Sequence, residues 1–221
     1  MDGYRMSPQQ ARLWGLASLA APAAYRAHSV TLIEGALDRA RFEAALSACV
    51  ARHELLRTSL LCLSAMTVPL QVIGEQGRVE LSWHDLGGQG DAALDALLAR
   101  QHGEACAVDE GPMMRLAMAR LADDRHALII DCPSLFSDSH GLRNLVAALA
   151  HAYAGQDDGA EPLQYADLAE WQCEMLESPN AEVGRDYWRR LNLAEALRAR
   201  LPLVTDARRA APFAPQRHSV E

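Results

Sequence analysis

Apolar positions along the chain follow two periods, and the switch from one to the other marks the elements. From Ser7 to Leu19 (SPQQARLWGLASL), Leu13, Trp14, Leu16 and Leu19 recur at helical spacing behind a Ser able to cap and a Pro suited to the first helical position. His28 to Ile33 (HSVTLI) is short and β-branched, which predicts a strand. Asp38 to Val50 carries Phe42, Ala45, Leu46, Cys49 and Val50 on one helical face behind a capping Asp. Between Ser59 and Leu86, short apolar runs around Leu60, Val68, Val72, Ile73 and Leu81 are broken by Pro69, Gly74 and Gly77, a pattern suited to antiparallel strands.

The second half continues in the same way. Asp91 to Cys106 repeats Leu94, Leu97 and Leu98 as a helix would, and Met113–Leu121 with His126–Asp131 reads as a hairpin turning at Asp123-Asp124. An irregular stretch, Cys132 to Asp138, precedes a helix marked by Leu142, Leu145, Val146, Leu149 and Tyr153, with Ser139 as its cap and Gly155 as its stop. Helices are predicted near Gln164–Leu176 and Ala181–Leu197, and beyond Leu201 the prolines and lost periodicity predict a linker over 202–221. Helices mixed with mainly antiparallel strands predict an α/β two-layer sandwich with flanking helices, not a doubly wound sheet.

Composition narrows the chemistry. The 221 residues, 50% hydrophobic and 23% charged, suit one folded domain whose core needs neither metal nor disulfide. A net charge of −8, with 21 basic residues that are all Arg against 29 acidic ones, argues against a phosphate-binding surface and hence against nucleic acid. Five cysteines (Cys49, Cys62, Cys106, Cys132, Cys173) without a CxxC pair predict no metal site and no disulfide framework. No basic leader and no apolar run near the ~18 residues of a membrane span is present, so a cytoplasmic protein that does not enter a membrane is expected.

Four segments carry a resemblance. Ser7-Pro8-Gln9-Gln10-Ala11-Arg12-Leu13-Trp14, Arg52-His53-Glu54-Leu55-Leu56-Arg57-Thr58-Ser59, Gly111-Pro112-Met113-Met114-Arg115 and Tyr165-Ala166-Asp167-Leu168-Ala169-Glu170-Trp171-Gln172 occur in the order of the motifs of nonribosomal peptide synthetase condensation domains. Tyr187-Trp188 and Leu201-Pro202-Leu203-Val204-Thr205-Asp206 resemble the family's last helix of the first lobe and its crossing to the second. The resemblance implies a chloramphenicol acetyltransferase-like half domain: an amino-terminal lobe over residues 1–201 and a linker over 202–221 toward a missing second lobe. It also implies a place in nonribosomal-peptide or hybrid polyketide antibiotic biosynthesis. Substrates would arrive as phosphopantetheine thioesters on carrier proteins, with no intrinsic cofactor. Partners would be a carrier protein or a neighbouring synthetase domain, with a separately supplied second lobe or a homodimer completing the unit.

The family's third motif reads His-His, three residues, Asp-Gly, and here Pro133-Ser134-Leu135-Phe136-Ser137-Asp138-Ser139 stands in its place. The catalytic histidine falls on Ser134, and the motif's Asp falls on Asp138, where the family pairs it with the Arg matching Arg57. A Ser hydroxyl without assistance cannot replace imidazole as a base near neutral pH, and losing a positioned base costs ~10² to 10⁴ in rate. The chain is therefore expected to be a catalytically degenerate interaction module. The alternative is an acyltransferase that still joins carrier-bound thioesters. Ser134, Asp138 and His140 are the candidate catalytic positions for that reading, against a plainer one of helix cap and solvated His.

Other residues have bland readings beside sharp ones. Arg52, His53, Arg57 and Asp138 are taken as a structural motif in preference to a phosphate site, and Cys132 as core packing in preference to a nucleophile. His126 and His151 are expected to be solvated or hydrogen-bonded, and Trp14, Trp171 and Trp188 to be buried. Arg185, Arg189 and Arg190 share one helix and are candidate contacts for an acidic carrier, against a solvated helix face.

Overall fold

A computed structural model describes residues 3–17, 24–64, 66–77, 79–103, 113–156, 159, 161–191 and 193. Cys106, Gly111-Pro112, the predicted helical residues beyond 193 and the 202–221 linker lie outside the described residues.

The central sheet has strand order β2 (Arg26–Glu34), β7 (Arg125–Pro133), β6 (Met114–Ala122), β5 (Val79–Asp85). β6 and β7 form the expected hairpin across Asp123-Asp124, with a register shift between Arg120 and Ala122. β7 lies between two partners and under helices on both faces, so nearly all of HALIIDCP is buried. Leu128, Ile130 and Cys132 join Phe42, Leu46 and Cys49 of α2 (Arg39–Arg52) and Leu142 and Leu149 of α4 (Ser139–Ala154) in the main core. Ala127 and Ile129 point the other way, with Ala117 and Ala119, against Leu97 of α3 (Asp91–Gly103). Small residues on that face admit α3 close to the sheet.

The expected antiparallel sheet over 59–86 divides in two. β3 (Thr58–Leu61) and β4 (Leu70–Ile73) are antiparallel and form a small sheet with β1 (Gly3–Tyr4), in order β1-β4-β3. β5 instead joins the central sheet parallel to β6. α3 is the reason: it connects β5 to β6 across the reverse face, and a helical crossover returns a strand in the same direction.

Helix boundaries follow local chemistry. Asp38 caps α2 by accepting from Arg41 N at 3.0 Å, and α4 ends at Gly155, whose φ of 73° is left-handed. The cap of α4 is Asp138, not Ser139: Asp138 Oδ1 accepts from Gly141 N at 2.8 Å, and Ser139 is the first helical residue.

α1 (Pro8–Ala17) packs through Leu13 and Trp14 against Met6, Leu60, Met113, Leu135 and Phe136, beside α5 (Tyr165–Glu177). Of the tryptophans expected to be buried, Trp171 and Trp188 are exposed, because α5 and α6 (Ala181–Arg190) lie outside the two main layers. His126, expected to be solvated or hydrogen-bonded, is buried at the start of β7, and its Nδ1 has no hydrogen-bond partner among the described residues. No described helix is long and apolar enough to cross a membrane.

Candidate functional site

The first motif holds the entry to α1. Ser7 Oγ accepts from Gln10 N at 3.2 Å while Gln10 Oε1 accepts from Ser7 N at 3.0 Å, a reciprocal cap that satisfies two donors at the helix start. The rest of the Gln10 amide crosses the interior. Its Nε2 donates to Gln71 Oε1 at 3.0 Å and to the Leu135 carbonyl at 3.2 Å, and Gln71 Nε2 donates to the Arg5 carbonyl at 2.9 Å. Ser7 Oγ also shares a 2.8 Å hydrogen bond with Tyr165 Oη at the start of the fourth motif. One buried network thus joins α1, β4, α5 and the turn that follows β7.

The second motif occupies the end of α2 and the 3₁₀ turn Glu54–Arg57. Gln164 staples it: Oε1 accepts from Glu54 N and Nε2 donates to the Arg52 carbonyl, both at 3.1 Å. His53 lies between these two bonds, with its own N–H donating to Cys49 O at 3.0 Å and its carbonyl accepting from Leu56 N at 3.0 Å. Its main chain is held on both sides. Burial, and then the charge of Arg52, push the imidazole below its ordinary value, so it is neutral at neutral pH.

The third motif forms the turn Ser134-Leu135-Phe136 at the end of β7. Ser134 N donates to the Tyr25 carbonyl at 2.8 Å and Phe136 N to Pro133 O at 2.9 Å. Tyr25 is in the left-handed region at φ 55°, which aims its carbonyl at the turn. Asp138 is held below its ordinary value chiefly by the Gly141 N–H, so its carboxylate is committed to capping α4. The expected pair of Asp138 with Arg57 does not form. Arg57 Nη1 donates instead to the Gly74 carbonyl at 2.6 Å, tying the 3₁₀ turn to the end of β4. A buried ion pair stands elsewhere, between Arg26 and Asp131.

These segments converge on a cavity of about 540 Å³, lined by Gln10, His53, Leu56, Ser134, Asp138 and Tyr165 among others. A second cavity of about 1250 Å³ adjoins it, sharing His53, Asn144 and Ala148 and extending past Arg52 and His151. Of the catalytic candidates, the structure brings Ser134 and Asp138 to the first cavity. His140 is exposed on the opening turn of α4 and does not line it. Among the described residues, His53 is the one imidazole in that lining. Arg185 and Arg189 are engaged by Glu182 and Asp186 on their own helix, which offsets the positive patch expected there. No group of three metal-ligating side chains is found among the described residues.

Sequence reasoning missed Gln71, Gln164 and Asn144. Gln71 left a trace, a lone amide inside the apolar strand LQVI, whereas Gln164 and Asn144 show no pattern that distinguishes them from surface amides. Chemically the first cavity offers apolar walls, two Ser hydroxyls, a committed carboxylate and one neutral imidazole.

The condensation-domain profile matches residues 1–221. Gramicidin S synthase 2 of Brevibacillus brevis is 28% identical over 190 residues, covering 85% of this chain and 4% of that protein. Surfactin synthase subunit 2 of Bacillus subtilis (strain 168) is 30% identical over 203 residues, covering 91% and 6%. The condensation domain of the monacolin K polyketide synthase MokA superposes with a TM-score of 0.76 at 20% identity, over 93% of this chain and 45% of its own. The tallysomycin biosynthesis protein TlmII gives 0.76 at 24% identity, over 91% and 50%. The chain thus spans a small fraction of these synthetases and about half of the two solved chains.

Proposed function

Because the chain belongs to the condensation-domain family, we propose that it serves a nonribosomal-peptide or hybrid polyketide assembly line as a carrier- and partner-interaction module, its own amide-forming chemistry lost at Pro133 and Ser134. The observation that carries this reading is the placement of Ser134 in the cavity lining where the motif's histidine falls, with His140 outside it. Amide formation from an amine and a thioester needs a group that takes the amine proton and donors that hold the oxyanion. Among the described residues no base is hydrogen-bonded to the Ser134 hydroxyl, and Asp138 is occupied at the helix cap. The braces through Gln10, Gln164 and Tyr165 nevertheless keep the cavity formed. Its ligands would be the pantetheine-linked acyl or aminoacyl groups of carrier proteins, and no cofactor resident in the chain is called for.

The test pairs calorimetry with loaded donor and acceptor carriers and intact-protein mass spectrometry of the products. Binding without product is the expected result. Product that disappears with Ser134→Ala or His140→Ala would overturn the reading.

A second reading rests on His53, whose neutral imidazole shares the cavity with Ser134. A noncanonical acyltransferase would use it to take the proton as the amine attacks the thioester carbonyl, the amide bond forms and the thiol leaves. Product lost with His53→Ala, while carrier binding holds, would select this reading over the first.

A further inference from the structure

Two imidazoles meet on the face of the central sheet that α3 covers. His28 belongs to β2, an edge strand, and is exposed, whereas His102 sits in the last turn of α3 and is half-buried. Their ring centroids are 4.2 Å apart and the ring planes are tilted by 54°. His102 Nε2 is shut off from solvent and has no hydrogen-bond partner among the described residues, and Oε1 of the neighbouring Gln101 is in the same condition. A buried ring nitrogen without a partner is costly, and such a group in a folded protein calls for a water or an ion that takes it up.

The chemistry around the pair favours a cation. Neutral imidazole offers one lone pair per ring, and it suits Zn²⁺, Cu²⁺ and Ni²⁺ where Mg²⁺ and Ca²⁺ want oxygen. Two Zn–N bonds of about 2.1 Å at a tetrahedral ion set their nitrogens ~3.4 Å apart, a spacing that two rings already in contact reach by a turn of the exposed His28 side chain. His102 also lies at the carboxyl end of α3, where the helix dipole attracts positive charge. Asp131 stands opposite His28 in the β2–β7 register. It neutralises Arg26, two residues along β2, so that guanidinium does not oppose an incoming ion.

We propose that His28 and His102 form a binding site for a divalent transition-metal ion of the Zn²⁺ class, held by one nitrogen of each ring and completed by water. Structural zinc sites use four protein ligands, so a site with two exchanges its ion with solvent. The ion ties the edge strand to the last turn of α3. It lies on the opposite face of the sheet from α2, α4 and the cavity, so it clamps the fold and takes no part in chemistry at Ser134. The site does not depend on what the cavity binds.

The test is calorimetric titration of the reduced 221-residue chain with Zn²⁺, with thermal unfolding followed in the same solutions. One ion per chain is expected, and Tm should rise as Zn²⁺ is added, because an ion that binds only the folded state stabilises it by mass action. His28→Gln and His102→Gln should each weaken binding by more than the ~10-fold that changing even an outer-shell partner costs, and each should cancel the rise in Tm. His28 is exposed, so its substitution tests the site without disturbing the core, and circular dichroism checks the fold of both variants. Electron paramagnetic resonance with Cu²⁺ in place of Zn²⁺ should show coupling to two imidazole nitrogens in the wild type and to fewer in either variant. The exposed thiol of Cys62 is the competing ligand, and Cys62→Ser should leave the titration unchanged. No saturable binding, binding that survives either His substitution, or binding lost with Cys62→Ser instead would each overturn the proposal.

Discussion

Arg26 and Asp131 face each other diagonally across β2 and β7, with Nε donating to Oδ1 at 3.0 Å and a second bond from Nη2 to Oδ2. Both side chains are out of solvent, at 6% and 0% exposure. The carboxylate belongs to the strand that leads into the Ser134 turn, and Arg26 directly follows Tyr25, whose carbonyl holds Ser134 N. The ion pair thus anchors both strands that position the turn.

Removing one member of a buried pair leaves the other charge in a low-dielectric site without the group it was built against. Arg26→Met or Asp131→Leu is expected to cost about 3–5 kcal/mol, and the double substitution to recover most of that loss. Urea unfolding of the three variants, with a double-mutant cycle, gives the coupling.

Gln10→Ala removes the donor to Gln71 and Leu135 and the acceptor for Ser7 N. Each orphaned buried group costs about 1–3 kcal/mol, so the substitution should rank among the more damaging on α1. The loss is directional, because the Leu135 carbonyl is part of the turn after β7. Hydrogen exchange should accelerate at Ser134 and Phe136 before it does in the β6–β7 hairpin.

Ser134→Ala and His140→Ala are expected to leave carrier binding, and any trace of product, unchanged within about twofold, since neither side chain is part of an activated pair. Ser134→His returns an imidazole to the cavity. If a missing base is the barrier, amide formation in the presence of both loaded carriers should rise by up to ~10²-fold.

Acid should destabilise the fold in two stages. Burial first, and then Arg52 for His53 and Arg100 for His84, hold both imidazoles below their ordinary value of 6.5. As pH falls through 6.5 the unfolded chain binds those protons before the folded one, and stability declines. Asp138 and Glu170 follow at lower pH. The Gly141 N–H and the Arg5 guanidinium hold them below 3.8 and 4.5, so their contribution, present above those values, is lost as pH falls through the lower folded ones. Tm plotted against pH should show both declines, and His53→Gln with His84→Gln should abolish the upper one while leaving the lower.

Several features could be read from local sequence because local chemistry causes them. Asp38 caps α2 with the N–H three residues on, Gly155 supplies the left-handed stop of α4, and Asp123-Asp124 turns the hairpin. Where two neighbours competed for one role, the reading failed. Asp138 and Ser139 can each cap a helix, and the carboxylate prevailed because its oxygen reaches Gly141 N. Trp188 looked like core by composition alone, but nothing in the periodicity of α6 says whether another layer covers it.

The candidate site divides along the same line. That the turn at the end of β7 carries Pro133 and Ser134 and no histidine is visible in the residue string, and no fold can place there an imidazole that the turn lacks. That His53 faces the same cavity, that His140 turns away from it, and that Arg57 holds Gly74 instead of Asp138 are outcomes of packing. They bring together residues from separate elements, through orientations that neither helical nor strand periodicity encodes. Composition, the Asp38 cap and the Gly155 stop act over a few residues and were settled by the sequence itself. The parallel placement of β5, the Arg26–Asp131 pair and the lining of the cavity depend on which faces meet, and only the closed tertiary structure decides that.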